Sequence, residues 1–156
     1  MSHIFLYGPP GAGKSTVGMR VARNLKLPFI DLDRAIEQSA GMTIQNIMEQ
    51  KGETAFRDLE TAALKNVLHA DPSVIALGGG ALLRDENRAF AEAHGQALLL
   101  MAELDTLLQR LQSDSNERPL LAGGLRDKLK SLLEKRGAHY RSFPLIIYVD
   151  GKTPEE

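Results

Sequence analysis

The stretch Gly8-Pro-Pro-Gly-Ala-Gly-Lys-Ser15 constrains the fold more than any other part of the sequence. It fits the phosphate-binding pattern G-x-x-x-x-G-K-[ST]. The apolar run from His3 to Tyr7 precedes it and is typical of a buried strand, and residues 15–25 carry apolar residues at helical spacing. A strand, a glycine-rich loop and a helix in this order predict a P-loop that binds a nucleoside triphosphate. The alternative is a glycine-rich turn without a ligand.

The residue types of this loop match the chemistry of phosphate binding. Gly8, Gly11 and Gly13 lack a Cβ, so the backbone can adopt positive φ and direct successive N–H groups at phosphate oxygens. The following helix adds the positive end of its dipole. Lys14 is expected to reach the β- and γ-phosphates, and the Ser15 hydroxyl to ligate Mg²⁺. The expected triphosphate site comprises Gly11, Ala12, Gly13, Lys14, Ser15 and Thr16.

Length and composition limit the remaining possibilities. The chain has 156 residues, which predicts one domain over residues 1–156, and it contains no cysteine for disulfide or thiolate chemistry. A net charge of −1 gives no indication of a nucleic-acid or membrane surface. The chain starts without a basic segment, and its longest apolar run, Ala97–Ala102, is far too short to span a bilayer. We expect a cytoplasmic protein without a membrane or nucleic-acid partner.

Strands and helices alternate along the rest of the chain, which favours a parallel sheet with helices on both faces. Further strands are predicted at 28–31, 73–77, 97–101 and 145–149. Helices are predicted over 34–40, 43–50, 53–68, 85–93, 103–111 and 126–138. The prediction is a three-layer α/β/α fold with about five parallel strands, and such sheets bind ligands at the carboxyl ends of their strands.

The second predicted strand ends in the sequence Asp31-Leu32-Asp33, which carries two carboxylates. Residues two apart in a strand face the same side, so both carboxylates could project toward the phosphates. One could assist Mg²⁺, and the other could accept or orient a proton on an acceptor hydroxyl. The alternative is helix capping, because an Asp before Arg34 is favourable at a helix N-terminus. Spacing alone leaves both interpretations open.

Three consecutive glycines, Gly78, Gly79 and Gly80, follow the third predicted strand. Glycine costs backbone entropy, so the run indicates either close approach of a ligand to backbone N–H groups or a loose turn. Upstream, Arg57 and Glu60 lie on one face of a predicted helix at i, i+3 spacing. That spacing alone is most typical of a solvated ion pair.

A polar stretch at residues 112–124 separates two predicted helices. Connections this long are uncommon unless they are functional or disordered. In a phosphotransferase the stretch would be a mobile lid that delivers Arg118 to the transferring phosphoryl group. Otherwise it is a surface loop with a solvated arginine. Arg136 lies near the end of the next predicted helix, in a cation cluster that suits a helix C-terminus, so its charge alone assigns no function.

The ordered motifs together resemble the shikimate kinase family and cover nearly the whole chain. They are G-P-P-G-A-G-K-S at 8–15, D-L-D at 31–33, G-E-T-A-F-R-D-L-E at 52–60, L-G-G-G-A at 77–81, R-P-L-L at 118–121 and K-R-x-x-x-Y at 135–140. The resemblance implies a P-loop fold similar to nucleoside-monophosphate kinases. It also implies transfer of the ATP γ-phosphate to the 3-hydroxyl of shikimate, in aromatic amino-acid biosynthesis through chorismate.

The resemblance implies roles on the acceptor side, within a substrate-binding segment at about residues 32–61. Asp33 would contact the shikimate hydroxyls and is the candidate base. Arg57 and Arg136 would hold the shikimate carboxylate, because a guanidinium fork matches a carboxylate bidentately. Glu60 would lie behind them, and backbone N–H groups would complete the pocket at Gly78, Gly79 and Gly80.

On the nucleotide side, the resemblance implies that Ser15 and Asp31 serve Mg²⁺, the latter through water. Arg110 would neighbour the adenine, and Arg118 would be the lid arginine. Arg118 would be catalytic together with Lys14 and Asp33. ATP, shikimate and Mg²⁺ are therefore the expected partners.

Three other functions share some of these features. A gluconate-type kinase also holds a carboxylate, but it is not similar to this chain in the F-R-x-L-E and triple-glycine elements. A nucleoside-monophosphate kinase should have a longer base-recognising segment than 156 residues leave room for. A nucleotide-binding module without catalysis would have no use for Asp33.

The segment Thr153-Pro-Glu-Glu156 has the features of a helix start, with Thr as N-cap and Pro at the first helical position. Four residues cannot nucleate an isolated helix, and shikimate kinases continue into a C-terminal helix. We expect an excised domain or a truncated chain, with a larger multifunctional protein of the same pathway as a candidate parent. The alternative is a natural chain with a frayed acidic tail. A missing helix should leave apolar surface near the final strand exposed.

Overall fold

Five parallel strands form the centre of the fold in a computed structural model that describes residues 2–67, 69–113 and 124–151. The sheet order is β2-β3-β1-β4-β5, and every pairing is parallel. This architecture confirms the predicted fold class. The strands are His3–Tyr7 (β1), Phe29–Asp31 (β2), Val74–Ala76 (β3), Gly95–Met101 (β4) and Ile146–Tyr148 (β5).

Helices connect the strands and cover both faces of the sheet. Their bounds differ from the predicted ones by no more than three residues at either end. In the described part of the chain they are Lys14–Leu25 (α1), Leu32–Ala40 (α2), Ile44–Lys51 (α3), Glu53–Val67 (α4), Asp85–His94 (α5), Leu104–Ser113 (α6) and Leu125–Arg141 (α7).

The central strand β1 is buried on both faces, as expected for a strand covered by helices on each side. Phe5 and Tyr7 point into the larger core cluster, which includes Tyr140 from α7. Leu6 points the other way and packs with Ala22 of α1. Successive side chains of β1 point to opposite faces of the sheet, so this one strand contributes to the cores on both sides of a three-layer fold.

The carboxyl ends of three strands meet at one edge of the sheet. In the β2–β3 register Asp31 pairs with Ala76, and in the β1–β3 register Ala76 pairs with Leu6. The P-loop follows β1, Asp31 ends β2 and the glycine turn at residues 78–80 follows β3. Segments far apart in the sequence therefore converge at the edge where open α/β sheets bind ligands.

Apolar side chains are exposed along β5, which pairs with β4 and lies at an edge of the sheet. Leu145, Ile147 and Tyr148 are 43%, 42% and 58% exposed. The helix-start signal at 153–156 lies outside the described residues, as does most of the proposed lid with Arg118. Among the described residues, the helices are too short or too polar for any of them to traverse a lipid bilayer.

Candidate active site

The loop after β1 has the backbone conformation that its glycines predict. Gly8, Gly11 and Gly13 have φ of 140°, 87° and 89°. A Cβ at Gly11 would lie 2.7 Å from the carbonyl oxygen of Leu107, so space as well as φ requires glycine there. The Lys14 ammonium donates a hydrogen bond to the Gly8 carbonyl at 2.6 Å. The loop is therefore already closed around its lysine.

The helix that follows this loop is built to receive an anion. Gly13 occupies the N-cap without a side-chain hydrogen bond, and the first turn of α1 carries no acidic residue. The N–H groups of the first turn and the positive end of the helix dipole therefore face the loop. Phosphate is the ligand that such a loop and helix start bind.

A hydroxyl and a carboxylate meet beside the P-loop. Ser15 Oγ donates to Asp31 Oδ2 at 3.1 Å, and Asp31 Oδ1 accepts from the backbone N–H of Arg34 at 3.3 Å. Asp31 therefore caps α2, as one of the two interpretations predicted, and its other carboxylate oxygen faces the loop. Its role at Mg²⁺ stays a prediction. Hydroxyl and carboxylate oxygens are ligands of the hard kind that Mg²⁺ prefers, so this pair fits the metal.

The sequence interpretation that places Asp33 at a strand end is wrong. The strand β2 ends at Asp31, and Asp33 lies in the first turn of α2 because the Asp31 cap starts the helix there. The two carboxylates therefore do not project side by side from a strand. Asp33 Oδ1 instead lies 2.9 Å from the position that a Cβ of Gly78 would take. It thus reaches the glycine turn, whereas Asp31 faces Ser15.

The glycine turn makes room for polar side chains from three helices. A Cβ at Gly80 would lie 2.6 Å from Arg57 Nη2, and a Cβ at Gly79 would lie 3.3 Å from Arg136 Nη1. None of the three glycines is among the described residues with positive φ, so backbone strain does not explain them. The run leaves space for neighbouring side chains, and the approach of a ligand to its N–H groups stays a prediction. The side chains packed against it are Asp33, Arg57, Glu60 and Arg136.

Arg57 and Glu60 form a buried ion pair, which corrects the interpretation of a solvated one. Arg57 Nη1 lies 2.9 Å from Glu60 Oε1, and the side chains are only 12% and 1% exposed. The pKa of Glu60 is raised to about 6, because burial, with a smaller contribution from the Asp33 carboxylate, outweighs the lowering by Arg57. Burial also disfavours the Arg57 cation, but attraction to Glu60 outweighs it, so the pKa of Arg57 stands above its usual value.

Arg136 and Tyr140 approach the glycine turn from α7. Arg136 is 8% exposed, and Tyr140 donates its hydroxyl proton to the Gly79 carbonyl at 2.7 Å. Sequence reasoning assigned no role to Tyr140. The available signal was its spacing, because residues four apart share one face of a helix. The structure thus adds a residue to the site.

This polar pocket adjoins the phosphate-binding loop. The position of a Gly79 Cβ lies 3.3 Å from Pro10 Cδ and 3.4 Å from the Gly8 carbonyl oxygen. Two buried arginines therefore stand next to the place where a terminal phosphate would lie. The arrangement suits transfer of a phosphoryl group to a small anionic acceptor.

Arg110 links the P-loop to the end of the last strand. Its guanidinium donates to the Ala12 carbonyl at 3.1 Å and to the Val149 carbonyl at 3.3 Å. Nearby, Asp150 Oδ1 accepts from the Thr106 hydroxyl at 2.6 Å and the Glu103 N–H at 3.0 Å, and these bonds lower the pKa of Asp150. Asp150 thereby holds the start of α6, a role that the sequence gave no local signal for.

The histidines do not gather into a metal site. His3 Nδ1 accepts the backbone N–H of Ser73 at 3.1 Å, and His139 Nε2 lies 2.9 Å from the Tyr7 hydroxyl. Within the part of the chain that the structure describes, no three His, Asp or Glu side chains are grouped as a metal cluster.

The fold and this site define a P-loop kinase for a small acceptor. A family model described as shikimate kinase matches residues 10–156. The chain therefore belongs to the shikimate kinase family.

Curated relatives and solved structures agree with this assignment. The chain is 42% identical over 148 residues to a shikimate kinase of Salinibacter ruber, covering 89% of this chain and 72% of the relative. It is 38% identical over 156 residues to one of a Sulfurihydrogenibium species, covering 100% and 93%. A shikimate kinase from Acinetobacter baumannii, solved in complex with shikimate, is 39% identical with a TM-score of 0.88, covering 94% of this chain and 83% of that one.

A gluconokinase from Sinorhizobium meliloti is a more distant structural neighbour. Its TM-score is 0.63 at 19% identity, covering 99% of this chain and 85% of that one. This similarity reflects a common fold alone.

Proposed function

We propose that this chain transfers the γ-phosphoryl group of ATP to the 3-hydroxyl of shikimate, giving shikimate 3-phosphate and ADP. The observation that carries the proposal is the pair of arginines packed on a glycine turn beside the P-loop, Arg136 buried and Arg57 largely buried. Membership in the shikimate kinase family supports the choice of acceptor.

Arg57 and Arg136 bind the shikimate carboxylate in this proposal. Both guanidinium groups lie at the glycine turn, and each can donate two parallel hydrogen bonds to a carboxylate. Glu60 orients Arg57 through the 2.9 Å ion pair. Backbone N–H groups of the turn at residues 78–80 complete the pocket. The segment 32–61 then supplies Asp33 as well as Arg57 and Glu60.

Asp33 acts on the acceptor hydroxyl in this proposal, and its carboxylate reaches the glycine turn that the two arginines also contact. The 3-hydroxyl oxygen attacks the γ-phosphorus, the bond to the β–γ bridging oxygen breaks, and ADP leaves. The hydroxyl proton passes to the Asp33 carboxylate or to solvent. In a loose transition state positioning suffices and a strong base is not required, so Asp33 orients the hydroxyl in either case.

The P-loop stabilises the charge on the phosphates. Lys14 and the N–H groups at the start of α1 bind the β- and γ-phosphates, and preorganised donors of this kind stabilise the transition state. Ser15 and Asp31, whose oxygens lie 3.1 Å apart, would hold Mg²⁺, the latter through water. When bound, the metal ion offsets phosphate charge.

Steady-state ADP release tests this function. Purified protein is assayed with ATP and Mg²⁺ in the presence of shikimate, of gluconate or of no acceptor. We expect rapid ADP release only in the assay that contains shikimate, and no ADP release from a Lys14→Met variant. Equal release with and without shikimate overturns the proposal, and release only with gluconate points to a gluconate-type kinase.

A further inference from the structure

The hydroxyl of Tyr140 lies between two groups assigned to carboxylate binding. It donates to the Gly79 carbonyl at 2.7 Å. The Arg136 guanidinium is packed against the same glycine, because the position of a Gly79 Cβ lies 3.3 Å from Arg136 Nη1. The nearby guanidinium charge partly offsets the rise that burial causes in the pKa of Tyr140. Tyr140 is fully buried, so water does not compete for the bond to Gly79. Tyr140 and Arg136 thus meet at the glycine turn.

The bond to the Gly79 carbonyl has a consequence for the next residue. In a trans peptide the C=O of one residue and the N–H of the next point in opposite directions. The structure contains no cis peptide in its described part, so anchoring the Gly79 carbonyl also fixes the direction of the Gly80 N–H. This orientation matters at a glycine, whose backbone has the widest conformational freedom.

The proximity of Arg136 to Tyr140 concerns the second group. An arginine side chain has several rotatable bonds, and its guanidinium must be held in one orientation to receive a carboxylate bidentately. Arg136 and Tyr140 lie four residues apart on α7, so the hydroxyl is fixed relative to the guanidinium by the helix itself.

We infer that Tyr140 is a positioning residue for the acceptor carboxylate, which sets the Arg136 guanidinium and the Gly80 N–H in register with each other. The inference rests on the proposed shikimate site. Tyr140 touches neither the substrate nor the phosphates; it acts through Arg136 and the Gly79–Gly80 peptide.

A structural role alone is the competing explanation, and Tyr7 provides a matched control. The Tyr140 ring packs in the core with its centroid 5.6 Å from that of Tyr7. Tyr7 is also fully buried, but its hydroxyl lies 2.9 Å from His139 Nε2. Tyr7→Phe therefore removes a buried hydroxyl from the same aromatic cluster without removing the bond to Gly79.

The test compares shikimate with its methyl ester, which keeps the ring hydroxyls and lacks the anionic carboxylate. Tyr140→Phe should lower kcat/KM for shikimate about tenfold, the loss expected for a hydrogen bond to a charged group. The change should lie mostly in KM, with KM for ATP unchanged. For the ester, kcat/KM of Tyr140→Phe should equal that of wild type within about twofold. Tyr7→Phe should leave the shikimate-to-ester ratio of wild type unchanged.

Two results overturn the inference. One is wild-type kinetics with shikimate in Tyr140→Phe, and the other is an equal fold loss for shikimate and its ester. Wild-type enzyme without shikimate-dependent ADP release contradicts the proposed function itself, so the two failures are distinguishable.

A measurement on wild-type protein covers the case in which Tyr140→Phe does not fold. The amide signal of Gly80 is followed by ¹⁵N NMR during titration with shikimate and with the ester. We expect a large shift with shikimate and a small one with the ester. An unchanged Gly80 amide at saturating shikimate overturns the inference.

Discussion

The Glu60 carboxylate lies 2.9 Å from the Arg57 guanidinium, and the two side chains are only 1% and 12% exposed. Glu60 Oε2 is a buried oxygen without a hydrogen-bond partner. Burying such a pair contributes little net stability, but removing one partner leaves an uncompensated charge. The pair is therefore best explained by the acceptor site, where it holds an arginine in one orientation.

The titration of Glu60 should appear in the pH dependence of stability. Its pKa of about 6 in the folded protein exceeds the usual value of 4.5, so the folded state binds the proton more tightly. The resulting stabilisation is fully present below about pH 4.5 and is lost as the pH rises through about 6. We expect wild type to lose about 2 kcal/mol of unfolding free energy relative to Glu60→Gln between pH 4 and pH 7. Urea denaturation of both proteins at each pH measures this difference. A difference that stays constant over this range would show that Glu60 is not perturbed.

Replacing Arg57 or Arg136 by Ala should weaken shikimate binding selectively. Loss of a charge-assisted contact should raise KM for shikimate by a factor equivalent to roughly 1.5–3 kcal/mol. KM for ATP should change little. Arg126→Ala is the control, because Arg126 lies on α7 in an exposed ion pair with Asp105. An equal loss of ATP affinity in the Arg57 or Arg136 variant would refute the assignment.

The glycine turn should not tolerate a methyl group at Gly80. A Cβ there would lie 2.6 Å from Arg57 Nη2, so Gly80→Ala must displace the guanidinium. We expect a higher KM for shikimate with KM for ATP preserved, measured by steady-state kinetics. Gly137→Ala is the control, because the atoms nearest to its Cβ would belong to the flexible side chain of the exposed Arg141. Gly137→Ala should keep normal kinetics and gain about 0.5–1 kcal/mol of stability from helix propensity. Normal shikimate kinetics in Gly80→Ala would show that the turn is not part of the pocket.

Removing the charge of Asp33 should affect turnover far more than folding. Asp33→Asn keeps the size of the side chain, so we expect a much lower kcat with a thermal midpoint close to wild type. Asp58→Asn is the control, because Asp58 is exposed and pairs with Arg84 outside the pocket. Near-normal turnover in Asp33→Asn would leave Asp33 without a role in the reaction.

Local sequence signals predicted the P-loop. The features that the sequence did not predict depend mostly on contacts between distant parts of the chain. The strand, loop and helix from His3 to Leu25 are contiguous, so each part could be read from its own residues. The helix start at Leu32 was missed because strand continuation and helix capping compete after Asp31, and the cap prevails. Tyr140 and Asp150 were missed because their partners lie far away in the sequence.

The burial of the Arg57–Glu60 pair also depends on the assembled fold. Spacing placed both residues on one helix face, but only packing of that face against the glycine turn excludes solvent. The backbone entropy cost of three consecutive glycines is visible in the sequence. The side chains that occupy the space beside them could not be predicted, because they come from α2, α4 and α7. The strand order β2-β3-β1-β4-β5 was likewise beyond what alternation of helices and strands predicts.

Product identification tests the central claim most directly. Wild-type protein is incubated with ATP, Mg²⁺ and shikimate, and the mixture is followed by ³¹P NMR, with Lys14→Met as the inactive control. We predict one new phosphomonoester, coupled to the proton on carbon 3 of shikimate, formed in equal amount to ADP. Loss of ATP without a phosphorylated shikimate, or a phosphate on another hydroxyl, would contradict the account.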